Sequence, residues 1–329
     1  MAVIKQITSK KRLMIILISC FFFITIMTVQ AQSGKTGPLT WSFMSGTITI
    51  SGSGDMPDFS QSTMPPWNVY NNINGVDIKD KVTSIGNRAF YGKSSIKTIT
   101  FGSSMKTVKS QAFANCTGLT TINFPNSVRT IGRSAFSGCS NLTSVTMPVV
   151  TSIGESAFAG TGLATVTIPK SVTNIGKNPF LNCKRLKTVN YNAIDAKYQT
   201  DSISIFSNCA NLTVVNFGNE VKTIPDYAFA DCTGLTAIII PNSVNVIGKE
   251  SFRGCSGLTS ITFGESVTTI EKGAFKDCTG LTTIIIPNSV TSIEDEAFSG
   301  CNSLVSVTVE NPETTIGQGA FNEDIIINN

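Results

Sequence analysis

Cysteine is the residue with the richest potential chemistry in this sequence of 329 residues. Beyond residue 31 each cysteine stands three residues after a phenylalanine, at Cys116, Cys139, Cys183, Cys209, Cys232, Cys255, Cys278 and Cys301. An even number of cysteines in a secreted chain ordinarily indicates disulfide bonds. At this regular spacing, however, the Cβ atoms point in one direction and do not approach as a disulfide requires. The sulfurs also form a line instead of the tetrahedron of a zinc site. We predict a buried column of free thiols, in which Thr161 takes one place.

Histidine does not occur in the sequence, which excludes histidine-based triads, histidine metal ligands and the commonest general base. Of the 25 basic residues four lie within residues 1–31, leaving 21 basic beside 21 acidic residues. A neutral chain gives no electrostatic reason to bind nucleic acid or an anionic membrane surface. An active site also needs a convergent cluster of acid, base or nucleophilic groups, and this sequence repeats one polar surface instead. We predict no enzyme activity, no cofactor and no metal.

Residues 1–31 have the layout of a secretory signal peptide. A basic stretch at 10–12 precedes an apolar run from Leu13 to Val29, and Ala31 supplies a small residue at the cleavage point. We predict cleavage there and export. One alternative is a retained membrane anchor, because a run of this length is at the lower limit for a membrane span. The other is lipidation at Cys20, which follows a lipoprotein-like box.

The elements that must position any site come from a repeat. Eleven phenylalanines follow one another at intervals of 22, 23 or 26 residues: Phe90, Phe113, Phe136, Phe158, Phe180, Phe206, Phe229, Phe252, Phe275, Phe298 and Phe321. A Leu or Ile usually follows each Phe by six residues, Val or Ile by nine, an apolar residue by eleven and Val by fifteen, as in Leu235, Ile238, Ile240 and Val244. This spacing is the signature of a leucine-rich repeat, in which each coil contributes one short parallel strand.

One such coil cannot bury its own apolar side. Coils that stack at about 4.8 Å, the ordinary strand spacing, align equivalent residues into ladders and form a core that runs the length of the chain. We therefore predict a right-handed leucine-rich-repeat solenoid made mostly of β-strands and turns. The Ile-Gly dipeptides before the phenylalanines resemble no phosphate-binding loop, and we interpret their glycines as permitting the tight bend of each coil.

The longest form of the unit, C-x-x-L-x-x-I-x-I-P-x-S-V, is seen in the stretch from Cys278 to Phe298. It resembles the BspA-like leucine-rich-repeat family of bacterial surface proteins, and the resemblance covers about three quarters of the chain. It implies a cell-surface or secreted protein with a role in adhesion to host or matrix proteins and in co-aggregation. No ligand-contacting residue belongs to the shared motif, so none is carried over.

Before the repeat, residues 38–58 show short β alternation around Ser45-Gly46, the pattern of a hairpin. We predict that this hairpin covers the open end of the first coil, because an uncovered end would expose core and strand edge. Counting back 23 residues from Phe90 reaches Trp67, which we place in the same slot.

The predicted domains are therefore a signal peptide at 1–31, a hairpin cap at 32–66 and a solenoid of about eleven coils at 67–329. Its ladder strands are predicted to open at Ile73, Ile96, Leu119, Leu142, Leu163, Leu186, Leu212, Leu235, Leu258, Leu281 and Leu304. Ile327 lies six residues after Phe321, where a twelfth coil would begin. Either the tail folds over the end of the stack or its edge pairs with another chain.

One coil departs from the rule, with 26 residues between Phe180 and Phe206 and an insertion at 191–204. Loops added to solenoid coils protrude and can carry binding residues. The alternative is a structurally neutral insertion. The candidate partner-binding residues in it are Asp195, Lys197, Tyr198 and Asp201.

Strand alternation turns the residues eight and ten after each Phe outward, on the concave side. They are mostly Thr, Ser and Asn, nearly without charge. Such a face could bind a protein or glycan as a polar array. The alternative is that these residues occur there only because residues such as Thr pack well on an exposed β-strand. Val214, Ile239 and Ile285 are apolar exceptions and further binding candidates. Sequons at Asn115, Asn141 and Asn211 are by-products of the repeat on this interpretation.

We predict an exported or cell-surface protein that recognises a protein or glycan, such as a host or matrix component, through its concave sheet or the 191–204 loop. Nucleic acid is not a predicted partner, and the membrane is involved only through export or a retained anchor. The alternative is a passive envelope or matrix protein that self-associates through an uncapped C-terminal coil.

Overall fold

Aromatic rings lie in single file through the interior of the computed structural model, which describes residues 32–194, 196–198, 204–206 and 208–328. Trp67 and the eleven repeat phenylalanines form this column. Successive ring centroids are 5.0–5.5 Å apart and successive ring planes lie within 20° of each other. Trp67 also donates a hydrogen bond from Nε1 to the Ala89 carbonyl at 2.8 Å. The prediction that successive coils stack in register, starting at Trp67, is confirmed.

A three-stranded antiparallel sheet closes the N-terminal end. It consists of β1 (Gln32–Thr36), β2 (Leu39–Met44) and β3 (Thr47–Gly52). The predicted hairpin turns at Ser45-Gly46, and β1 adds a strand that the prediction missed. Strand β3 pairs in parallel with the first coil, from Thr47 opposite Gly75. The cap therefore supplies hydrogen bonds to the strand edge that would otherwise be open.

A 3₁₀-helix at Pro66–Val69 leads into the solenoid. The remaining strands in chain order are β4 (Gly54–Asp55), β5 (Gly75–Ile78), β6 (Val82–Ile85), β7 (Thr98–Thr100), β8 (Thr107–Val108), β9 (Thr121–Asn123), β10 (Thr130–Ile131), β11 (Ser144–Thr146), β12 (Ser152–Ile153), β13 (Thr165–Ile168), β14 (Asn174–Ile175), β15 (Thr188–Tyr191), β16 (Lys197–Tyr198), β17 (Val214–Phe217), β18 (Thr223–Ile224), β19 (Ala237–Ile239), β20 (Val246–Ile247), β21 (Ser260–Thr262), β22 (Thr269–Ile270), β23 (Thr283–Ile286), β24 (Ser292–Ile293), β25 (Ser306–Val309), β26 (Thr315–Ile316) and β27 (Ile326–Asn328).

The odd-numbered strands from β5 to β27 form what we call the first ladder. Each of the eleven predicted strands is present and begins two residues after its predicted opening residue. The pairing is parallel and keeps equivalent positions together, so that Thr165 lies opposite Thr188, and Thr188 opposite Val214. The predicted solenoid of about eleven 23-residue coils is thus confirmed. No helix in the described part of the chain has the length and apolarity that a membrane crossing needs.

The even-numbered strands form a second ladder that the prediction of one strand per coil did not include. Each member is two to four residues long, and in β6 to β14 and β18 to β24 the strand ends in an Ile or Val that points into the core. Within it, β4 to β16 form one parallel sheet and β18 to β26 another. A regular coil therefore contributes two strands, and the turn between them ends at the Val that stands fifteen residues after the Phe.

Left-handed backbone conformations explain the Gly, Asn and Asp that recur two residues after the phenylalanines. The dihedral φ is 71° at Gly92, 57° at Asn182 and 60° at Asp277, for example. Glycine adopts this conformation without steric cost, and Asn and Asp tolerate it better than other side chains. This position makes the turn that carries the chain away from the aromatic column.

The glycines of the Ile-Gly dipeptides have a different role from the predicted bend. Gly132 is not among the residues with positive φ. A Cβ atom there would lie 2.7 Å from the carbonyl carbon of Lys109 in the preceding coil. At Gly132 glycine therefore permits a close approach of two backbones, and its conformational freedom is not used.

At the C-terminal end the tail does begin a twelfth coil, but in another register than predicted. Ile327 pairs with Val307, which lies nine residues after Phe298. Ile327 thus takes the place nine residues after a Phe, and the predicted place at six is wrong. The coil is shorter by three residues because the ladder hydrogen bonds to β25 decide the register.

Candidate functional site

The outward face of the first ladder carries a regular polar surface. Positions eight and ten from β7 to β25 are mostly exposed and hold no charged residue, while the residue between them points into the core. Side chains are linked across neighbouring strands: Asn190 Nδ2 donates to Thr167 Oγ1 at 3.1 Å, and Asn216 Nδ2 donates to Asn190 Oδ1 at 2.9 Å. These contacts hold the polar atoms of adjacent coils in a fixed row.

The three apolar candidates lie on this face and are exposed. Their exposed fractions are 43% for Val214, 67% for Ile239 and 61% for Ile285. The prediction that they point outward is confirmed, and whether they bind a partner stays a prediction. They do not form one continuous patch, because Thr262 on β21 lies between the strands of the two isoleucines.

Of the four candidate binding residues in the 191–204 insertion, the structure describes only two. Asp195 and Asp201 lie outside the described residues. The backbone of Lys197 and Tyr198 forms β16, which pairs in parallel with Asn174–Ile175. The chain in the insertion therefore rejoins the second ladder, and β16 is the last strand of the sheet that begins at β4.

A recess of about 560 Å³, which was not predicted from the sequence, opens at one side of the polar face. Its apolar wall includes Phe124 and Met147, both nearly buried, and Pro148. Thr146 and Thr167 of the polar face form part of its rim. A volume of this size, with an apolar lining and a few polar groups, is typical of ligand sites.

Irregular repeat lengths produce this recess. The turn Met147-Pro148-Val149-Val150 is one residue shorter than the usual form, as in Phe124-Pro125-Asn126-Ser127-Val128. Two coils further on, the irregular coil has Asn192 where most other coils have Pro or Gly, and Asn192 lines the recess. The deviation of the Phe spacing from 23 was therefore the signal that could have located it.

An exposed ion pair crosses the irregular coil at the rim of the recess. Lys170 Nζ and Glu220 Oε1 are 3.6 Å apart, and they belong to the coils before and after the irregular one. Both side chains are more than half exposed, so the pair contributes little to stability. It does place one positive and one negative charge beside an otherwise uncharged surface.

The cysteine column is present and chemically quiet. All eight described cysteines are free and buried. Each thiol donates to the carbonyl of the Phe in the preceding coil at 3.2–3.5 Å. Thr161 fits the column, with Oγ1 at 3.3 Å from Cys183 Sγ. Burial raises the pKa of the thiols, to about 12 for Cys139 and Cys255, so the nucleophilic thiolate is scarce at neutral pH. Within the described residues no group of His, Cys, Asp or Glu could hold a metal.

The fold and this surface define a leucine-rich-repeat solenoid with a flat, uncharged strand face. The model of the BspA type leucine rich repeat region matches residues 68–187 and 200–328 in six copies. The chain belongs to this family, which implies a role of the recognition or adhesion type and a fold that is typically non-catalytic.

Solved structures of bacterial leucine-rich-repeat proteins are similar in fold. A leucine rich cell surface protein from Faecalibacterium prausnitzii is 25% identical, with 89% of this chain and 96% of that one covered and a TM-score of 0.41. A leucine-rich repeat protein from Bacteroides ovatus is 23% identical, with 87% and 92% covered and a TM-score of 0.48. The pneumococcal vaccine antigen PcpA is 19% identical, with 90% and 93% covered and a TM-score of 0.46. No curated protein matches the chain.

Proposed function

We propose that this protein is exported to the cell surface and recognises a protein or glycan partner through the polar face of the first ladder, without catalysis. The observation that carries the proposal is the recess beside Thr146 and Thr167, where the uncharged polar face meets an apolar wall. An apolar anchor in such a recess can supply most of the binding energy, while the surrounding polar contacts exclude water. Exposed Ile239 and Ile285 would extend the contact along the face.

Export is supported by the layout of residues 1–31 and by the family. The mass of the protein isolated from its own cells tests this part. Cleavage after Ala31 gives a chain that starts at Gln32, lipidation gives an added mass at Cys20, and an uncleaved chain contradicts the proposed processing.

Binding is tested by incubating the purified protein with an array of host matrix proteins, mucins and glycans. Thr167→Trp places an indole at the rim of the recess and is expected to weaken binding at least tenfold. Thr100→Trp is the matched control, because it adds the same side chain at the same strand position three coils away, on the side of the recess opposite to Ile239 and Ile285. Binding that is unchanged in Thr167→Trp would exclude the recess as the anchor.

The insertion is tested separately by shortening the 26-residue coil to 23 residues. Binding that is lost in this variant and kept in Thr167→Trp would move the site from the recess to the candidates Asp195, Lys197, Tyr198 and Asp201. An absence of binding to every member of the array contradicts the recognition function.

Self-association is the second candidate function, and exposed isoleucines at the last two strands favour it. Ile316 on β26 is 45% exposed, and Ile326 and Ile327 on β27 are 63% and 42% exposed. Edge strands with apolar side chains pair readily with other chains. Light scattering over a range of concentrations would show growing particles that Ile326→Lys abolishes. A monomer at every concentration contradicts this function.

A further inference from the structure

A second recess, which we call the Arg88 recess, lies where the cap meets the first Phe-containing coil. Its volume is about 470 Å³, within the range of ligand pockets. Residues 60–65 and the 3₁₀-helix contribute one side, and the turn around Phe90 contributes the other. Its lining includes Gln61, Met64, Asn68, Arg88, Tyr91 and Lys93. It lies apart from the recess of the proposed function, with which it shares no lining residue.

Neutral groups hold the Arg88 side chain in place. Its guanidinium carbon lies 3.9 Å from the centre of the Tyr91 ring, a cation–π contact. Its Nη1 donates to Gln111 Oε1 at 2.6 Å. Tyr91 is fixed in turn, since its hydroxyl accepts a hydrogen bond from Asn115 Nδ2 at 3.3 Å. None of the ion pairs within the described part of the chain includes Arg88.

A second cation lies behind it. Lys93 occupies the place that cysteine has in later coils, and it is only 9% exposed. Its Nζ donates to the carbonyls of Asn68 at 2.7 Å and Tyr70 at 3.0 Å. An ammonium group has three N–H donors, so these two bonds leave one. Burial lowers the pKa of Lys93, as expected for a cation that no carboxylate neutralises.

The recess therefore holds two cationic side chains, and none of the described residues that line it is acidic. Its charge is complementary to an anion. The guanidinium fork of Arg matches the geometry of a carboxylate and can bind it with two parallel hydrogen bonds. One of its edges is already used by Gln111, and Lys93 is mostly covered, so the charge on offer suits one carboxylate better than a doubly charged phosphate.

The rim indicates what carries that carboxylate. Met64 and Tyr91, which line the recess, are 53% and 38% exposed. Aromatic, Met and Arg side chains are enriched where proteins bind proteins, and Tyr and Arg are frequent among the residues that dominate binding energy. We propose that the Arg88 recess binds an acidic side chain of a partner polypeptide, with a flanking apolar residue of the partner against Met64.

Fluorescence anisotropy with labelled, capped peptides tests the proposal on the purified protein. One peptide has a single Glu between apolar residues, and its partner has Gln in the same place. Inorganic phosphate and a uronate oligosaccharide are competitors in separate arms. We expect the Glu peptide to bind at least tenfold more tightly than the Gln peptide, and the difference to shrink in 0.5 M salt because exposed charges are screened.

Arg88→Asn removes the guanidinium with little backbone cost, because φ at this position is 53° and Asn tolerates the left-handed region. It is expected to weaken binding of the Glu peptide at least tenfold. Arg133→Asn is the control, since it removes an exposed arginine two coils away and should change affinity less than twofold. Arg88→Lys, which keeps the charge and loses the fork, should give an intermediate affinity. Thermal unfolding of each variant checks that it is folded.

The proposal is overturned by equal affinities for the Glu and Gln peptides, or by an Arg88→Asn variant that binds as tightly as the original protein. Tighter binding of phosphate or of the uronate than of the Glu peptide overturns the assignment to a polypeptide carboxylate. An absence of peptide binding at millimolar concentration overturns it as well. Thr167→Trp does not touch this recess, so either proposal can fail without the other.

Discussion

At the scale of single residues, each cysteine thiol links two coils. The Phe252 carbonyl accepts the backbone N–H of Cys255 in its own coil at 3.2 Å and the thiol of Cys278 in the next coil at 3.2 Å. A carbonyl oxygen has two lone pairs, so both bonds can form. The thiol is small, apolar and a weak donor, which suits a position where side chains stack directly over one another. Its role is structural.

The raised thiol pKa values predict a loss of stability in alkali. The pKa of Cys255 is about 12 in the fold and about 8.5 in an unfolded chain. Above pH 8.5 the thiol of Cys255 therefore loses its proton in the unfolded state and keeps it in the folded state. The free energy of unfolding falls for this reason as pH rises from 8.5 towards 12. At pH 10 the loss is about 2 kcal/mol for each such thiol.

Urea denaturation at pH 7 and pH 10, with reductant present, measures this effect. Cys255→Thr removes one titrating group, and Thr161 shows that threonine fits the column. The decrease in the free energy of unfolding between the two pH values should be smaller by about 2 kcal/mol in the variant. Identical decreases in both proteins would contradict the burial of a neutral thiol at this position.

At the scale of the element, the turn after each Phe from Phe90 to Phe298 depends on one left-handed residue. Asn182 has φ of 57° and an exposed side chain. Asn182→Val should lower the free energy of unfolding by about 1–2 kcal/mol, because a β-branched residue is strained in this conformation. Asn182→Gly is the control and should cost less, since glycine adopts this φ freely. Urea denaturation of both variants measures the difference, and a Val variant as stable as the Gly variant would refute the role of the turn.

At the scale of the whole molecule, each coil is stabilised by its two neighbours, as in other solenoids. Phe252 is fully buried between Phe229 and Phe275, with centroid distances of 5.4 and 5.2 Å. Phe321 has one described ring neighbour in the column, Phe298, and is only partly buried. Phe252→Ala should lower the free energy of unfolding by about 3–5 kcal/mol, and Phe321→Ala by less than half as much.

The same variant should also separate the two halves of the stack. The sequence has two tryptophans, Trp41 and Trp67, both at the N-terminal end, so their fluorescence reports unfolding there, while circular dichroism reports the whole chain. In urea the two signals should coincide in the original protein and diverge in Phe252→Ala, because a weakened coil uncouples its neighbours. Coincident transitions in the variant would show longer-range cooperativity than nearest-neighbour stacking provides.

The features that the sequence predicted share one property, which is that they depend on the repeat alone. The aromatic column, the eleven strands of the first ladder, the thiol column and the outward position of Ile239 all follow once equivalent residues stack in register. Even Trp67 was recognisable, because it stands 23 residues before Phe90. The second ladder was missed because its strands are mostly two residues long, too short to show an alternation of their own.

By itself, then, the sequence determined the fold, the direction of each repeated side chain and the absence of charge from the outward positions of β7 to β25. Only the tertiary structure decided where the stack is irregular in space: the recess beside Thr167, the Arg88 recess, the register of Ile327 and the role of Gly132. The physical reason is that periodicity specifies what every coil does alike. A recess or a shifted register depends instead on how one deviating coil meets its neighbours, some 20 to 30 residues away in the chain.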